Sequence, residues 1–149
     1  MRIKHNMGFT LIELVVTVAI LAILSRIAYP TYTSYVKRSN RSDAEAQLTR
    51  MGQAEERWFS TNDRYSSTTA SVVAMGAVQY SPSNAQNNST TKINYNLSPT
   101  SATSTIYLLT ATPTTTSLNA KDGNLTLDNT GKKCWYKNGG TTCYDWTSN

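Results

Sequence analysis

Histidine occurs once in this chain of 149 residues, as His5 beside the N-terminus, and cysteine twice, as Cys134 and Cys143. Carboxylates are also scarce, with nine Asp and Glu in all. The chain contains no Ser/His/Asp set, HExxH helix, phosphate loop or GxGxxG turn, and no carboxylate pair stands out as an acid/base couple. Two cysteines and one distant histidine are too few for a zinc site. These shortages exclude the common enzyme classes, and no metal or cofactor is expected. The Ala, Glu, Lys and Leu excess of a coiled coil is missing too, and a mean hydropathy of −0.41 excludes a multi-pass membrane protein. Ser, Thr and Asn instead fill 52 positions. Such a composition gives a modest core under a hydroxyl-rich surface, in one domain. Nine Tyr, three Trp and a low net charge argue against a disordered chain.

One long apolar run is present. Residues 9–29 are apolar apart from interruptions such as Glu13, Ser25 and Arg26. As a helix this run is about 30 Å long, the thickness of a bilayer core. A short basic segment, Met1 to Gly8, precedes it, and no small-residue cleavage site follows near Tyr29-Pro30, so a secretory signal peptide fits poorly. Arg2 and Lys4 hold the N-terminus in the cytoplasm and send the remainder across. On hydropathy alone this is a signal anchor. Glu13 changes that reading, because a carboxylate in hydrocarbon costs about 2.5–3.5 kcal/mol and calls for a partner. A cut between Gly8 and Phe9 would create an α-amino group four residues before it.

Gly8-Phe9-Thr10-Leu11-Ile12-Glu13 resembles the prepilin cleavage motif of type IV pilins and related pseudopilins. The resemblance implies that prepilin peptidase removes residues 1–8 and that Phe9 is N-methylated. It implies that Glu13 guides docking by pairing with the Phe9 amine of an adjacent subunit. It also gives Pro30 a part in filament assembly, as a point where the helix can loosen. Ala22, where many pilins have glycine, and Arg26 depart from the pattern of major pilins. Arg26 reads as a side chain that snorkels to the interface.

From 31 to 61 the pattern stays helical and becomes amphipathic. Ala44, Leu48, Met51, Ala54 and Trp58 make one face. The charged residues on other faces read as a solvated surface, with Arg41 and Glu45 as an i,i+4 pair. The whole helix would be roughly 80 Å long, more than a domain this small can bury. Half of it is expected in membrane or against other subunits.

Asn62-Asp63-Arg64-Tyr65 ends the helix. Residues 62–91 read as a loop with a short element near 71–78. Four strands are then expected: one on Ile93, Tyr95 and Leu97, a central one over 106–111, one on Leu125 and Leu127, and one over 133–136. Residues 98–105 and 113–122 read as turns. A helix followed by consecutive strands is α+β with an antiparallel sheet. The expected organisation is therefore a leader (1–8), a membrane or filament-core helix (9–30) and a globular domain (31–149). The globular part comprises a helix (31–61), a loop (62–91), a sheet (92–136) and a disulfide hairpin (134–143). Further residues are similar to PilE/ComP-type minor pilins, among them Tyr29-Pro30, Arg38-Ser39, Asp43-Ala44, Asn62 to Tyr65, Ala111-Thr112-Pro113, Leu127-Asp128 and Gly131.

Asn138-Gly139 is a strong two-residue hairpin signal. With the turn there, Lys137 faces Gly140, Trp135 faces Thr142, and Cys134 faces Cys143 on a non-hydrogen-bonded pair with Cα atoms about 4.5 Å apart. A turn at Gly139-Gly140 is the competing geometry and would spoil that register. In an oxidising compartment the bond forms; two free thiols are the alternative. A disulfide-bounded C-terminal loop is also a pilin feature, and a short one fits a minor pilin.

Without Arg2 and Lys4 the chain carries twelve basic and nine acidic residues. Lys132, Lys133 and Lys137 cluster beside Trp135, Tyr136, Tyr144 and Trp146. Lysines neutralise phosphates and aromatic faces stack on bases, and ComP-like pilins are DNA receptors for competence. Alternatively, the tryptophans pack the hairpin on the sheet and the lysines keep an edge strand soluble. Three readings follow: a structural minor pilin, a pilus-borne DNA receptor, and a secretion pseudopilin. The partners implied are other pilin subunits, prepilin peptidase and the assembly machinery, the inner membrane before assembly, and, under the second reading, DNA. The implied locations are the inner membrane, with the domain in the periplasm, and the extracellular pilus.

Overall fold

The computed structural model describes residues 9–86 and 90–147. Gly8 and the rest of the leader lie outside the described residues. The chain divides into two compact units, residues 1–35 and 36–149. Helix α1, Leu11–Asn62, contributes to both.

In the first unit α1 has no core to cover. Leu11, Ile12, Leu14, Ile20, Leu21 and Ile23 are all more than half exposed. This stretch is long and apolar enough to cross a membrane. The helix passes through Pro30 without interruption. Proline lacks the N–H that would bond the carbonyl of Arg26. The Thr31 hydroxyl donates to Ile27 O at 3.0 Å just beside it.

In the second unit α1 buries the expected stripe. Ala44, Leu48, Met51 and Ala54 are fully buried, and Trp58 is half-buried. Gly52 lets the helix approach the sheet: a Cβ there would lie 3.2 Å from both Leu127 and the Tyr107 hydroxyl. Asp63, at φ 54, ends the helix in the left-handed region.

The sheet has five antiparallel strands in sequence order: β1 (Tyr80–Ser81), β2 (Tyr95–Ala102), β3 (Tyr107–Pro113), β4 (Gly123–Asp128) and β5 (Lys133–Lys137). The ladder puts Leu97, Ala111, Leu125 and Trp135 in one row, and Leu109 beside Leu127. That face packs with the α1 stripe to form the core. Each fully buried leucine contributes about 1.5–3 kcal/mol.

Several expectations are corrected. The sheet has five strands rather than four, because Ser81 and Tyr80 pair with Tyr95 and Asn96. Residues 62–91 do carry the short element expected near 71–78, a few residues earlier, and more structure beside it. They hold helix α2 (Thr69–Ala74), capped by the Thr68 hydroxyl and anchored by buried Val72, then β1 and a 3₁₀ turn at Ser83–Gln86. Strand β2 runs through Ser98-Pro99, which reads as a turn in the sequence. Pro99 lies beyond the reach of two-residue β1, so its missing N–H costs no ladder bond, and the register shifts just after it, between Pro99 and Ser101. Arg41 does not pair with Glu45. It pairs with Asp122 at 3.3 Å, the one ion pair among the described residues.

Candidate filament and nucleic-acid interfaces

Glu13 sits in the first turn of α1, and its partner in the structure is local. The Thr10 amide donates to Glu13 Oε2 at 2.9 Å and the Thr10 hydroxyl at 2.8 Å, while the Glu13 amide donates back to the Thr10 hydroxyl at 3.3 Å. This is a capping box on Thr10-x-x-Glu13. It satisfies helix-end donors that hydrocarbon would leave orphaned. The signature is legible in the sequence, but the resemblance draws attention to the Phe9 amine instead.

At the other end of the chain, Lys132, Lys133 and Lys137 are exposed. Lys133, Trp135 and Lys137 share one face of β5, opposite Leu127, Leu125 and Gly123. Lys133 and Lys137 are four residues apart on a strand, roughly 13 Å. Tyr136 points to the other face with Cys134. The structure therefore splits the five candidate residues between two faces.

Trp135 is corrected as a stacking surface for a base. It is 3% exposed and belongs to the core. The Arg41 guanidinium lies 3.6 Å from its ring centroid, Lys137 Nζ lies 5.2 Å away, and its indole N–H donates to Asp122 O at 2.8 Å. Trp146 is half-buried, with Lys133 Nζ 5.1 Å from its ring, and donates to Cys134 O at 3.1 Å. Both lysines are thus held over aromatic faces.

A polar network beneath Trp135 fixes this end of the sheet to α1. Asp122 accepts from Arg41 and, at 2.8 Å, from the Tyr95 hydroxyl. Buried Asn119 donates to Lys37 O at 2.9 Å and to the Tyr95 hydroxyl at 3.1 Å, and accepts from Asn40 at 2.9 Å. Burial first, and then the Asp122 charge, push the Tyr95 hydroxyl well above the usual phenol range. No sequence motif marks this network, because its hydrogen-bonded partners are up to 82 positions apart.

Arg41 being engaged elsewhere leaves Glu45 half-buried and, among the described residues, without an ion pair. Burial raises its carboxyl to about 7, against the pull of Arg41 and Lys133 and with help from Asp122 and Asp145. Asp128 behaves differently. Burial acts to raise it, but hydrogen bonds from the Thr130 hydroxyl and the Lys132 and Thr130 amides outweigh this and hold it below the usual carboxylate range. Those bonds shape the turn that presents Lys132.

The Cys134–Cys143 disulfide is present, with Cα atoms 4.9 Å apart. The turn at Asn138-Gly139 is also as expected. Both residues have positive φ, and the Gly140 amide donates to Lys137 O at 3.0 Å. The ladder beyond the turn is corrected. Trp135 exchanges both backbone bonds with Tyr144, not with Thr142. The returning arm carries two extra residues in exposed Thr141-Thr142. Each threonine has only one methyl group to bury and both stay exposed, whereas the much larger Trp146 ring packs on the core, so the arm slips to seat Trp146.

A long N-terminal helix, an antiparallel sheet on its second half and a disulfide-closed C-terminus define the type IV pilin fold. Two family models match the sequence: type IV minor pilin ComP, DNA uptake sequence receptor, over residues 30–126, and the prokaryotic N-terminal methylation motif over 4–29. The chain belongs to the ComP family of type IV minor pilins. It is a minor pilin, a subunit of the type IV pilus bearing a prepilin-peptidase processing motif. This is a family of structural proteins. No curated protein matches the sequence. Among solved structures, the non-core minor pilin PilV of Neisseria meningitidis is similar, with a TM-score of 0.53 and 16% identity over 74% of this chain and 95% of that one. That likeness supports the fold.

Proposed function

We propose that this minor pilin captures DNA for the pilus along the exposed lysine edge at β5, using Lys132, Lys133 and Lys137. The observation that carries the reading is three exposed lysines, two of them poised over tryptophan rings, in a chain of the DNA-uptake-receptor family. The matched stretch ends at residue 126, so the lysine edge lies outside it and rests on its own geometry. Tyr136 and the exposed Tyr144 ring are the aromatic groups left for stacking once Trp135 is in the core.

In this reading the chain inserts in the inner membrane with its domain in the periplasm. Prepilin peptidase cuts between Gly8 and Phe9, and Phe9 is methylated. The apolar helix then moves from lipid into a filament of other pilin subunits. Glu13 sets the docking register, and Pro30 is where α1 yields if it loosens.

The test is a salt titration of DNA binding by the full chain in detergent, beside a variant with Lys132, Lys133 and Lys137 all replaced by Ala. Micromolar binding that weakens with salt and collapses in the variant is expected. Equal binding by the variant, or none at low salt, leaves a purely structural minor pilin.

A further inference from the structure

A second concave site lies away from β5, where the loop after α1 meets the tip of the β2–β3 hairpin. It is a cavity of about 470 Å³ walled by Trp58, Arg64, Ser67, Thr68, Ser71 and Ser104 together with their neighbours. That volume lies within the range of small-molecule sites.

Its walls are held in place from behind. The Ser66 amide donates to buried Glu55 at 2.9 Å. The Ser66 hydroxyl donates to Thr68 O and accepts from the Thr68 amide, both at 3.1 Å. The Thr68 and Ser71 hydroxyls bond at 2.7 Å. Across the cavity, the Thr103 hydroxyl accepts from the Thr105 and Ile106 amides. The recess is therefore pre-formed, which lowers the ordering cost of binding.

Several of the residues that line it carry unspent groups. Among the described residues, the Trp58 indole N–H, the Arg64 guanidinium and the Ser67 and Ser104 hydroxyls make no hydrogen bond or ion pair within the protein. The neighbouring Arg57 is different, since it is tied to Met75 O at 2.7 Å. The Tyr65 hydroxyl is likewise engaged by Glu56 at 3.2 Å, and its ring packs on Phe59 and Tyr107. The unspent groups are thus one indole, two serine hydroxyls and a single planar cation.

We propose that this cavity binds an acidic saccharide, with Trp58 against the sugar ring, the serine and threonine hydroxyls on its hydroxyls, and Arg64 on its carboxylate. An amphipathic aromatic ring beside neutral donors and acceptors suits a ring that is apolar on its faces and hydroxylated at its edge. A guanidinium recognises a carboxylate bidentately. A nucleic-acid strand would call for a row of cations along the phosphates, and the cavity offers one. The site is independent of the lysine edge, so its failure and the failure of DNA binding are separate results.

The test uses the full chain in a sugar-free detergent. Glucuronic acid, N-acetylneuraminic acid, glucose and thymidine 5′-monophosphate are compared by saturation-transfer NMR and titration. An acidic sugar is expected to bind at least about tenfold tighter than glucose, a difference of about 1.4 kcal/mol. Arg64→Ala should erase that preference, Ser104→Trp should abolish binding by filling the cavity, and the triple lysine variant should leave it unchanged. Circular dichroism separates these effects from misfolding. The proposal is overturned if no sugar binds, if acidic and neutral sugars bind alike, if the nucleotide binds tighter than either sugar, or if the lysine variant loses the sugar.

Discussion

The residue whose chemistry departs furthest from its sequence reading is Glu45. As one charge on a solvated helix face it would titrate near the ordinary 4.5, but in the fold its carboxyl is raised to about 7. Arg41 is committed to Asp122 and to the Trp135 ring, so the ion pair that would have held Glu45 charged does not form. Between pH 4.5 and 7 the folded state holds a proton that the unfolded chain has released. Stability from this group is therefore greatest below 4.5 and falls as the pH rises to about 7. With the discount a half-exposed carboxyl requires, the loss is roughly 1 kcal/mol. In Glu45→Gln, urea midpoints measured from pH 5 to 8 are expected to lose that part of the slope. An unchanged slope would place the titration elsewhere. Deprotonation also sets a negative charge near Lys133, so the same variant probes the field of the lysine edge.

At the scale of elements, the C-terminal hairpin is held by three kinds of bond. One is the disulfide, another the Trp135–Tyr144 backbone pair, and the last the Trp146 indole on Cys134 O. The disulfide closes a loop of about ten residues, for which chain entropy gives about 2–3 kcal/mol. Cys134→Ser with Cys143→Ser is expected to lower the unfolding free energy by that amount while β4 and β5 stay paired through Asn124–Tyr136 and Leu125–Trp135. Hydrogen exchange at the Tyr144 amide should accelerate first. Loss of protection throughout β4 would show instead that the bridge holds the whole sheet edge.

For the molecule as a whole, the question is what covers the apolar half of α1. Leu11, Ile12 and Ile23 are at least 65% exposed in the lone chain, and lipid or neighbouring helices can bury them equally well. Hydrophobicity therefore does not set the register of transfer into a filament; a polar group inside the apolar run can. Under the proposed docking role Glu13 is that group, and in the lone chain its capping box with Thr10 supplies its partners from its own helix. Glu13→Ala is expected to reach the membrane normally and to be missing from sheared surface fibres. Thr10→Ala, which removes one capping bond, should reduce incorporation only modestly. Incorporation of Glu13→Ala at the wild-type level would remove Glu13 from the docking step.

Local patterns determined the parts whose physics is local. The apolar run, the stripe from Ala44 to Ala54, the Asn138-Gly139 turn and the proximity of Cys134 to Cys143 all depend on residues within a few turns of one another, so period and spacing suffice to read them. Tertiary structure decided what long-range partners control. Two-residue β1 exists only because β2 offers it a ladder. Helix α2 is held by burying Val72, and Pro99 is tolerated because no strand lies against its nitrogen. Trp135 is core rather than surface because α1 brings Arg41 over its ring from 94 positions away. The slip from Thr142 to Tyr144 has the same cause: turn chemistry fixes the hairpin at its tip, and burial of Trp146 fixes it at its base.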